Sequence, residues 1–236
     1  MRRLLPWLLA ACLLPVFLAA GAWQWGRALE KEALLVEREA VLAERRAIAL
    51  DQALARDDEL QWVSARGRFL DAPPVLLDNQ LRNGRAGVRV FRTFDAGPAQ
   101  PLLLLETGWV AWPPGRAAPV LGAVPEGTLQ VEGLLLAPPS QGLSIGPAAS
   151  PDPAGHVLAL RLDLDVLAGM LGLQRPLAKR VLRPDPSLPW GESRDLDVLT
   201  NTLPPEKHRG YAVQWWGLAA ATVVITLVLS LRRSRR

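Results

Sequence analysis

The chain has 236 residues, is 50% hydrophobic and carries a formal net charge of +4 from 27 basic and 23 acidic side chains. The excess positive charge lies at the two ends, because Arg2 and Arg3 precede the first apolar run, four arginines follow the last, and every acid lies between Glu30 and Glu206. The middle of the chain therefore has a net charge of −2, so the overall positive charge is not evidence for a nucleic-acid-binding surface.

The first predicted element is a membrane-spanning helix over residues 4–25, preceded by a cytoplasmic tip at 1–3. The 22 uncharged residues of this run would extend about 33 Å as a helix, enough to cross a hydrocarbon core of about 30 Å. A cleaved signal peptide is the alternative, since Ala20-Gly21-Ala22 fits a small-x-small cleavage site. The length of the run and its tryptophans at 7, 23 and 25 favour a retained span.

A second uncharged run, residues 211–231, predicts an interfacial segment and second membrane-spanning helix over 206–231, with a cytoplasmic tail at 232–236. The positive-inside rule places both ends in the cytoplasm and the middle outside. The chain uses three lysines against 24 arginines, which is typical of a bacterium with a GC-rich genome. The expected location is therefore the bacterial plasma (inner) membrane, with both termini cytoplasmic and a periplasmic central domain.

Between the spans, the sequence predicts a juxtamembrane helix over 26–60 and an extracytoplasmic β-rich domain over 61–205. Residues 27–56 are rich in Ala, Leu, Glu and Arg and contain neither Gly nor Pro, which favours a helix. The predicted strands are 62–69, 75–81, 88–94, 102–112, 128–136, 157–162 and 177–182. Asn83-Gly84 predicts a turn, 140–155 a loop, 165–171 a short helix and 188–205 an irregular segment. The fold class is membrane α+β, with two transmembrane helices flanking a small, mostly antiparallel sheet or partly closed barrel.

Enzyme motifs are absent from the sequence, which has no GxSxG, Walker A, GxGxxG or HExxH pattern. Its one cysteine, Cys12, lies within the first span, so neither a disulfide framework nor covalent haem attachment is available. We expect a non-enzyme with no catalytic residue and no metal cluster. His156, beside a strand, is expected to be a surface or structural residue.

The other histidine, His208, stands at the start of the second predicted helix. His208, Tyr211 and Trp215 are spaced i, i+3 and i+7, so they share one helix face near the outer membrane boundary. One interpretation is a haem iron ligand whose flanking cations, Lys207 and Arg209, meet the haem propionates. The other is an ordinary interfacial anchor, because aromatic residues concentrate at that level.

The outer end of the first span lies at the same membrane level. Trp23 and Arg27 are spaced i, i+4 there, and Gln24 and Arg27 are spaced i, i+3. A glutamine among tryptophans can hydrogen-bond a neighbouring helix. Because both helices leave the membrane on one side, the Gln24 face and the His208 face can form one composite patch.

Five blocks of the sequence, in order, carry a family resemblance. They are residues 21–27 (Gly-Ala-Trp-Gln-Trp-Gly-Arg), 67–69 (Gly-Arg-Phe), 76–79 (Leu-Leu-Asp-Asn), 108–110 (Gly-Trp-Val) and 204–215, which runs from Pro204 to Trp215. The chain resembles the surfeit locus protein family, the assembly factors of haem–copper cytochrome c oxidase, and the closing block is the most specific. One position departs from the pattern, since Thr107 stands where the family commonly has Arg before Gly-Trp.

The resemblance implies a non-enzymatic role in delivering haem a to the catalytic subunit of the oxidase or inserting it there. It implies that His208 contacts haem a transiently, with Tyr211 and Trp215 beside it as the other cofactor-binding residues. The residues expected at the partner interface are Trp23, Gln24, Arg27 and Arg209. The expected partners are membrane lipid, oxidase subunit one and, as a further candidate, haem a synthase. The alternative function is a membrane-anchored periplasmic interaction or sensor domain that uses its helices only as anchors.

Overall fold

The computed structural model describes residues 5–56, 60–139 and 146–234. The predicted tip at 1–3, the end of the predicted juxtamembrane helix at 57–59 and part of the predicted loop, 140–145, lie outside the described residues. The chain divides into two compact units. One combines the residues up to Val36 with those from Thr202 onwards, and the other is Glu37–Asn201.

The elements follow in chain order. They are α1 (Leu5–Glu44), β1 (Ile48–Ala49), α2 (Leu50–Leu54), β2 (Gln61–Phe69), β3 (Val75–Arg82), β4 (Arg85–Asp95), β5 (Leu102–Ala111), β6 (Leu129–Leu136), β7 (Ala149–Pro151), β8 (Val157–Ala159), α3 (Leu164–Met170), β9 (Leu177–Pro184) and α4 (Pro205–Ser234).

The first unit consists of α4 and most of α1. Both helices are long and apolar enough to cross a membrane and indicate a membrane protein. They run antiparallel, because residues late in this part of α1 meet residues early in α4, as Gln24 meets His208, while Phe17 meets Trp215. If both helices cross a membrane, their antiparallel course leaves Leu5 and Ser234 on the same side of it.

The helix α1 is continuous through Glu44, so the first span and the start of the predicted juxtamembrane helix are one element. It ends earlier than residue 56 because Arg45 adopts a left-handed conformation with φ 43°. There the Arg45 guanidinium lies 4.9 Å from the ring centre of Trp62 and pairs with Asp185 at 2.6 Å. These contacts within the second unit end a helix that local propensity alone would continue.

The second unit is built on one nine-stranded sheet in the order β1-β2-β6-β9-β5-β4-β3-β8-β7. The end of β2 also pairs with β4, through Arg68 opposite Asp95 and Phe69 opposite Phe94, so β2, β6, β9, β5 and β4 form a closed ring. Three pairings are parallel, β1 with β2, β3 with β8 and β5 with β9, and the remaining six are antiparallel. The mostly antiparallel, partly barrel-like domain predicted from the sequence is confirmed.

The main core contains side chains from all five strands of the ring, with α2 packed against them. Its fully buried members include Val63, Phe94, Leu105, Val131 and Leu182. The ring closes tightly at Gly67, where a Cβ atom would lie 2.1 Å from the carbonyl oxygen of Asp95. The glycine is therefore required by the close approach of β2 and β4.

The local predictions for the second unit agree with the structure in most places. Asn83 and Gly84 form the two-residue hairpin turn with φ 51° and 73°, as a type I′ turn requires. The Asp163 side chain caps α3 by accepting from the Val166 N–H. The strand β7 is a difference, since it lies inside the segment predicted as a loop, where its residues pair with β8.

Candidate functional site

The site begins with a hydrogen bond between the two long helices. His208, in the first turn of α4, has its Nδ1 2.7 Å from Oε1 of Gln24 on α1. The histidine is only 9% exposed, and Gln24 is half-buried. A hydrogen bond between two such side chains in an apolar helix interface links the helices at one register.

Small residues allow this close approach. Ala28 lies one helical turn after Gln24, and Ala212 lies one turn after His208, and both are completely buried. At Gly21 a Cβ atom would lie 2.3 Å from Nε1 of Trp216, so the indole ring rests directly on the glycine backbone. The polar pair is thus framed on α1 and α4 by residues without bulky side chains.

Aromatic side chains lie around the pair. The ring centres of Trp25 and Trp216 are 5.8 Å apart, as are those of Phe17 and Trp215. Trp215 therefore faces α1, as His208 does. Tyr211 is 41% exposed and Trp23 is 61% exposed, so these two predicted site residues lie towards the outside of the pair of helices.

The cations predicted at the site have partners of their own. Arg27 pairs with Glu30 at 2.5 Å. Arg209 pairs with Glu32 at 2.6 Å and lies over the ring of Trp25 at 5.6 Å. The structure therefore brings Gln24 and His208 together and keeps the Arg27 side chain on its own helix.

The second ring nitrogen of His208, Nε2, has no hydrogen-bond partner among the described residues. Polar side-chain atoms that are both buried and unpartnered occur in the described chain on Arg89, Arg92, Thr93, His156 and Arg194, and not on His208. Nε2 is therefore not fully enclosed by the described residues. An imidazole that donates through Nδ1 and presents an accessible Nε2 can bind a metal ion.

Several contributors to this interface were missed by the sequence analysis. Gly21 and Trp216 were not predicted as contacts between the helices, although a glycine four residues before Trp25 is a typical small-residue contact between membrane helices. Glu32, the partner of Arg209, carried no signal in the sequence, because its pairing depends on how the two helices are aligned.

The position that departs from the family pattern, Thr107, lies in the second unit. It is the extra residue of a β-bulge, since Phe91 pairs with Glu106 and Val90 with Gly108. Thr107 is completely buried and its hydroxyl lies 2.5 Å from the Glu192 carboxylate. Thr107 thus links the irregular segment after β9 to the sheet through a hydrogen bond from its neutral hydroxyl group.

A buried ionic cluster lies next to this bulge. Glu106 is 2% exposed and lies between two arginines, Arg89 at 3% and Arg183 at 1% exposure. Arg183 donates to Glu106 at 2.8 and 3.0 Å and also donates to the Asp197 carbonyl, while Arg89 donates to the other carboxylate oxygen. Both oxygens of the Glu106 carboxylate are thus paired inside the domain, while Nε of Arg89 is buried without a partner among the described residues, and this enclosed position indicates a structural rather than a binding role.

One cleft of about 340 Å³ opens beside α3, lined by residues 70–72 and 171–175. Asp95 and Arg175 form an ion pair at 2.6 Å in its wall. The hydrogen bond from Arg175 holds the pKa of Asp95 below its usual range, and the Gly97 N–H adds to the effect. Arg175 also donates to two backbone carbonyls, those of Gly97 and Gln100. Its donors are thus engaged within the fold, and we assign this cleft no ligand.

The other histidine has a structural setting. His156 precedes β8, its carbonyl accepts from the Asp152 N–H at 2.8 Å, and its Nδ1 lies 3.5 Å from the Asp152 carboxylate. It therefore lies in the β7–β8 connection. Within the described ranges, no group of three or more His, Cys, Asp or Glu side chains is arranged to hold a metal ion.

Comparison with known proteins agrees with the order of the sequence blocks. A search of curated proteins finds no match. The family model described as the SURF1 family matches residues 11–220, which include α1 from its second turn, the whole sheet domain and the first half of α4. The chain belongs to the SURF1 family, known broadly as a family of cytochrome oxidase assembly factors.

Proposed function

We propose that this protein carries haem a as cargo and passes it to the catalytic subunit of cytochrome c oxidase, with no catalytic step of its own. This role is supported above all by His208, whose Nδ1 is engaged by Gln24 while Nε2 has no partner among the described residues. Membership of an oxidase assembly family is the second support.

The residues around His208 suit haem chemically. One imidazole nitrogen can supply one axial ligand, and the Trp25–Trp216 and Phe17–Trp215 pairs offer aromatic surface for the macrocycle. Lys207 is exposed and forms no ion pair within the described residues, so it is available to a propionate. Arg209 would have to exchange its contact with Glu32, which favours weak, reversible binding.

A single axial ligand also suits a carrier better than a permanent haem protein. Haem held by one iron bond can leave when a receiving protein supplies stronger ligands. The proposed orientation places the His208 end of α4 at the outer face of a bacterial plasma membrane, with the sheet domain on the same side. The receiving partner would be oxidase subunit one, with haem a synthase as a further candidate source.

Binding is tested by titrating haem a into the detergent-solubilised full-length protein and following the Soret band. The variant His208→Ala is expected to weaken binding by at least tenfold, in line with the loss of a metal ligand. His156→Ala is the matched control, because it removes the only other histidine, and it should bind as the unaltered protein does. Equal affinity for haem a in His208→Ala and the unaltered protein would refute the haem-binding role.

The cellular role is tested separately in a deletion strain of the source bacterium. The haem a band of the oxidase should fall on deletion and return with the unaltered gene and with His156→Ala, but not with His208→Ala. A normal oxidase spectrum in the deletion strain would instead support the alternative, a membrane-anchored interaction or sensor domain.

A further inference from the structure

The hydrogen bond between Gln24 and His208 has a direction that fixes the chemistry of the imidazole. The amide oxygen Oε1 of Gln24 faces Nδ1 at 2.7 Å, and an amide oxygen can only accept. Nδ1 must then carry the proton. In a neutral ring, the lone pair is left on Nε2.

The surroundings hold Gln24 in place. Its backbone is in the interior of α1, a helix that continues for 20 residues beyond it to Glu44. Gly21 and Ala28 flank it on the same face, with Trp216 resting on the glycine and Ala28 completely buried. Removing the amide would leave the His208 Nδ1–H without an acceptor in a site where only 9% of the residue is exposed.

We infer that Gln24 is a positioning residue that holds His208 in the Nδ1-protonated form and so presents Nε2 to a haem iron. The inference rests on the proposed function for its ligand, whereas the protonation state it assigns holds without any ligand. Histidines that bind metals commonly donate their other N–H to an oxygen acceptor, which orients the ring and increases its donor strength. Gln24 supplies that acceptor from the neighbouring helix.

The protonation state is tested first, on the full-length protein labelled with ¹⁵N-histidine in detergent micelles and without haem. We expect the ring nitrogens of His208 to show an Nδ1–H form in the unaltered protein. We expect a shift towards Nε2–H in Gln24→Leu, which removes the acceptor while keeping a side chain of similar size. Gln214→Leu is the matched control, since Gln214 is exposed on α4. An Nε2–H form in the unaltered protein, or an unchanged Nδ1–H form in Gln24→Leu, would overturn the inference.

The effect on the iron bond is tested with haem a. Gln24→Leu should lower affinity about 10- to 100-fold, the usual cost of losing such an acceptor. Gln24→Glu should retain affinity, raise the iron–histidine stretching frequency of the ferrous form and make the reduction potential more negative, because a carboxylate is a stronger acceptor. A merely structural role of Gln24 would not move these two signals in that direction.

The two Gln24 variants keep the test decisive if one of them folds poorly. Should Gln24→Leu fail to fold, an iron–histidine frequency in Gln24→Glu equal to that of the unaltered protein would overturn the positioning role. Failure of the proposed function looks different. In that case the unaltered protein binds no haem, or His208→Ala binds it equally, while the ¹⁵N spectra still report whether Gln24 sets the protonated nitrogen.

Discussion

The buried cluster of Glu106, Arg89 and Arg183 makes a strong prediction about stability. Successive residues of a strand point to opposite faces, so Leu105 and Leu182 enter the main core while Glu106 and Arg183 point away from it. The segment after β9 covers that opposite face, where Asp197 accepts from Arg183. Glu106→Gln would keep the size of the side chain and leave two buried arginines facing a neutral amide.

The expected cost follows from the burial. Removing one partner of a buried ion pair destabilises a protein by about 3–5 kcal/mol, because the remaining charge stays desolvated without compensation. The second unit spans residues 37–201, and a domain of that size loses about 2–4 °C of melting temperature per kcal/mol. Glu106→Gln should therefore lower the melting temperature by about 6–20 °C.

The assay is thermal unfolding of the full-length protein in detergent, followed by near-ultraviolet circular dichroism. Glu126→Gln makes the same chemical change at an exposed residue and should stay within about 0.5 kcal/mol of the unaltered protein. The double variant Arg89→Met with Glu106→Gln should melt above Glu106→Gln alone, because one unpaired charge is gone. A melting temperature for Glu106→Gln within about 2 °C of the unaltered protein would correspond to a cost of about 1 kcal/mol or less. That result would refute the reasoning.

Two further predictions concern Gly67 and Asp95 in the sheet domain. Gly67→Ala should destabilise the sheet domain by about 1–3 kcal/mol or more, because its new methyl group would lie 2.1 Å from the Asp95 carbonyl oxygen. Gly169→Ala, in α3 with open space around it, should instead be neutral or stabilising by up to about 1 kcal/mol in the same melting assay; equal effects would contradict the close approach. Arg175 lowers the folded-state pKa of Asp95. The ion pair therefore stabilises the fold fully above the unfolded-state pKa of about 3.9. This stabilisation is lost as the pH falls through the lower folded-state pKa. Asp95→Asn should therefore melt below the unaltered protein at pH 6, with the difference shrinking below about pH 4; a constant difference down to pH 2 would exclude the carboxylate charge as the cause.

The sequence predicted the elements whose signals are local. Apolar runs bounded by proline and glycine located the long strands, and Asn83-Gly84 located the hairpin turn because type I′ geometry needs two residues at positive φ. The absence of charge located both spans. The motif around His208 and the presence of Gln24 at the same level were likewise visible, since both depend on spacing along a helix.

The features that the sequence did not predict depend on contacts between distant segments. The short strand β1 forms only because Ile48 and Ala49 pair with Val63 and Ser64, and neither residue signals a strand locally. The parallel pairing of β5 with β9 joins residues as far apart in the chain as Leu102 and Leu177, and no turn motif specifies it. The ion pair of Arg209 with Glu32 depends in the same way on the alignment of α1 with α4.

Thr107 stands where the family commonly has arginine, and its contacts show what this residue does in the present chain. Thr107 contacts both the side chain and the backbone of Glu192. Its hydroxyl donates to the Glu192 carboxylate, and its carbonyl accepts from the Glu192 N–H at 2.9 Å. The other carboxylate oxygen of Glu192 accepts from the Gly122 N–H at 3.0 Å. Threonine therefore holds this segment by hydrogen bonds to the side chain of one glutamate and to its backbone N–H. The contacts of Thr107 lie within the sheet domain, and those of the Gln24–His208 pair lie in the other unit, so the departure at position 107 does not involve that pair directly.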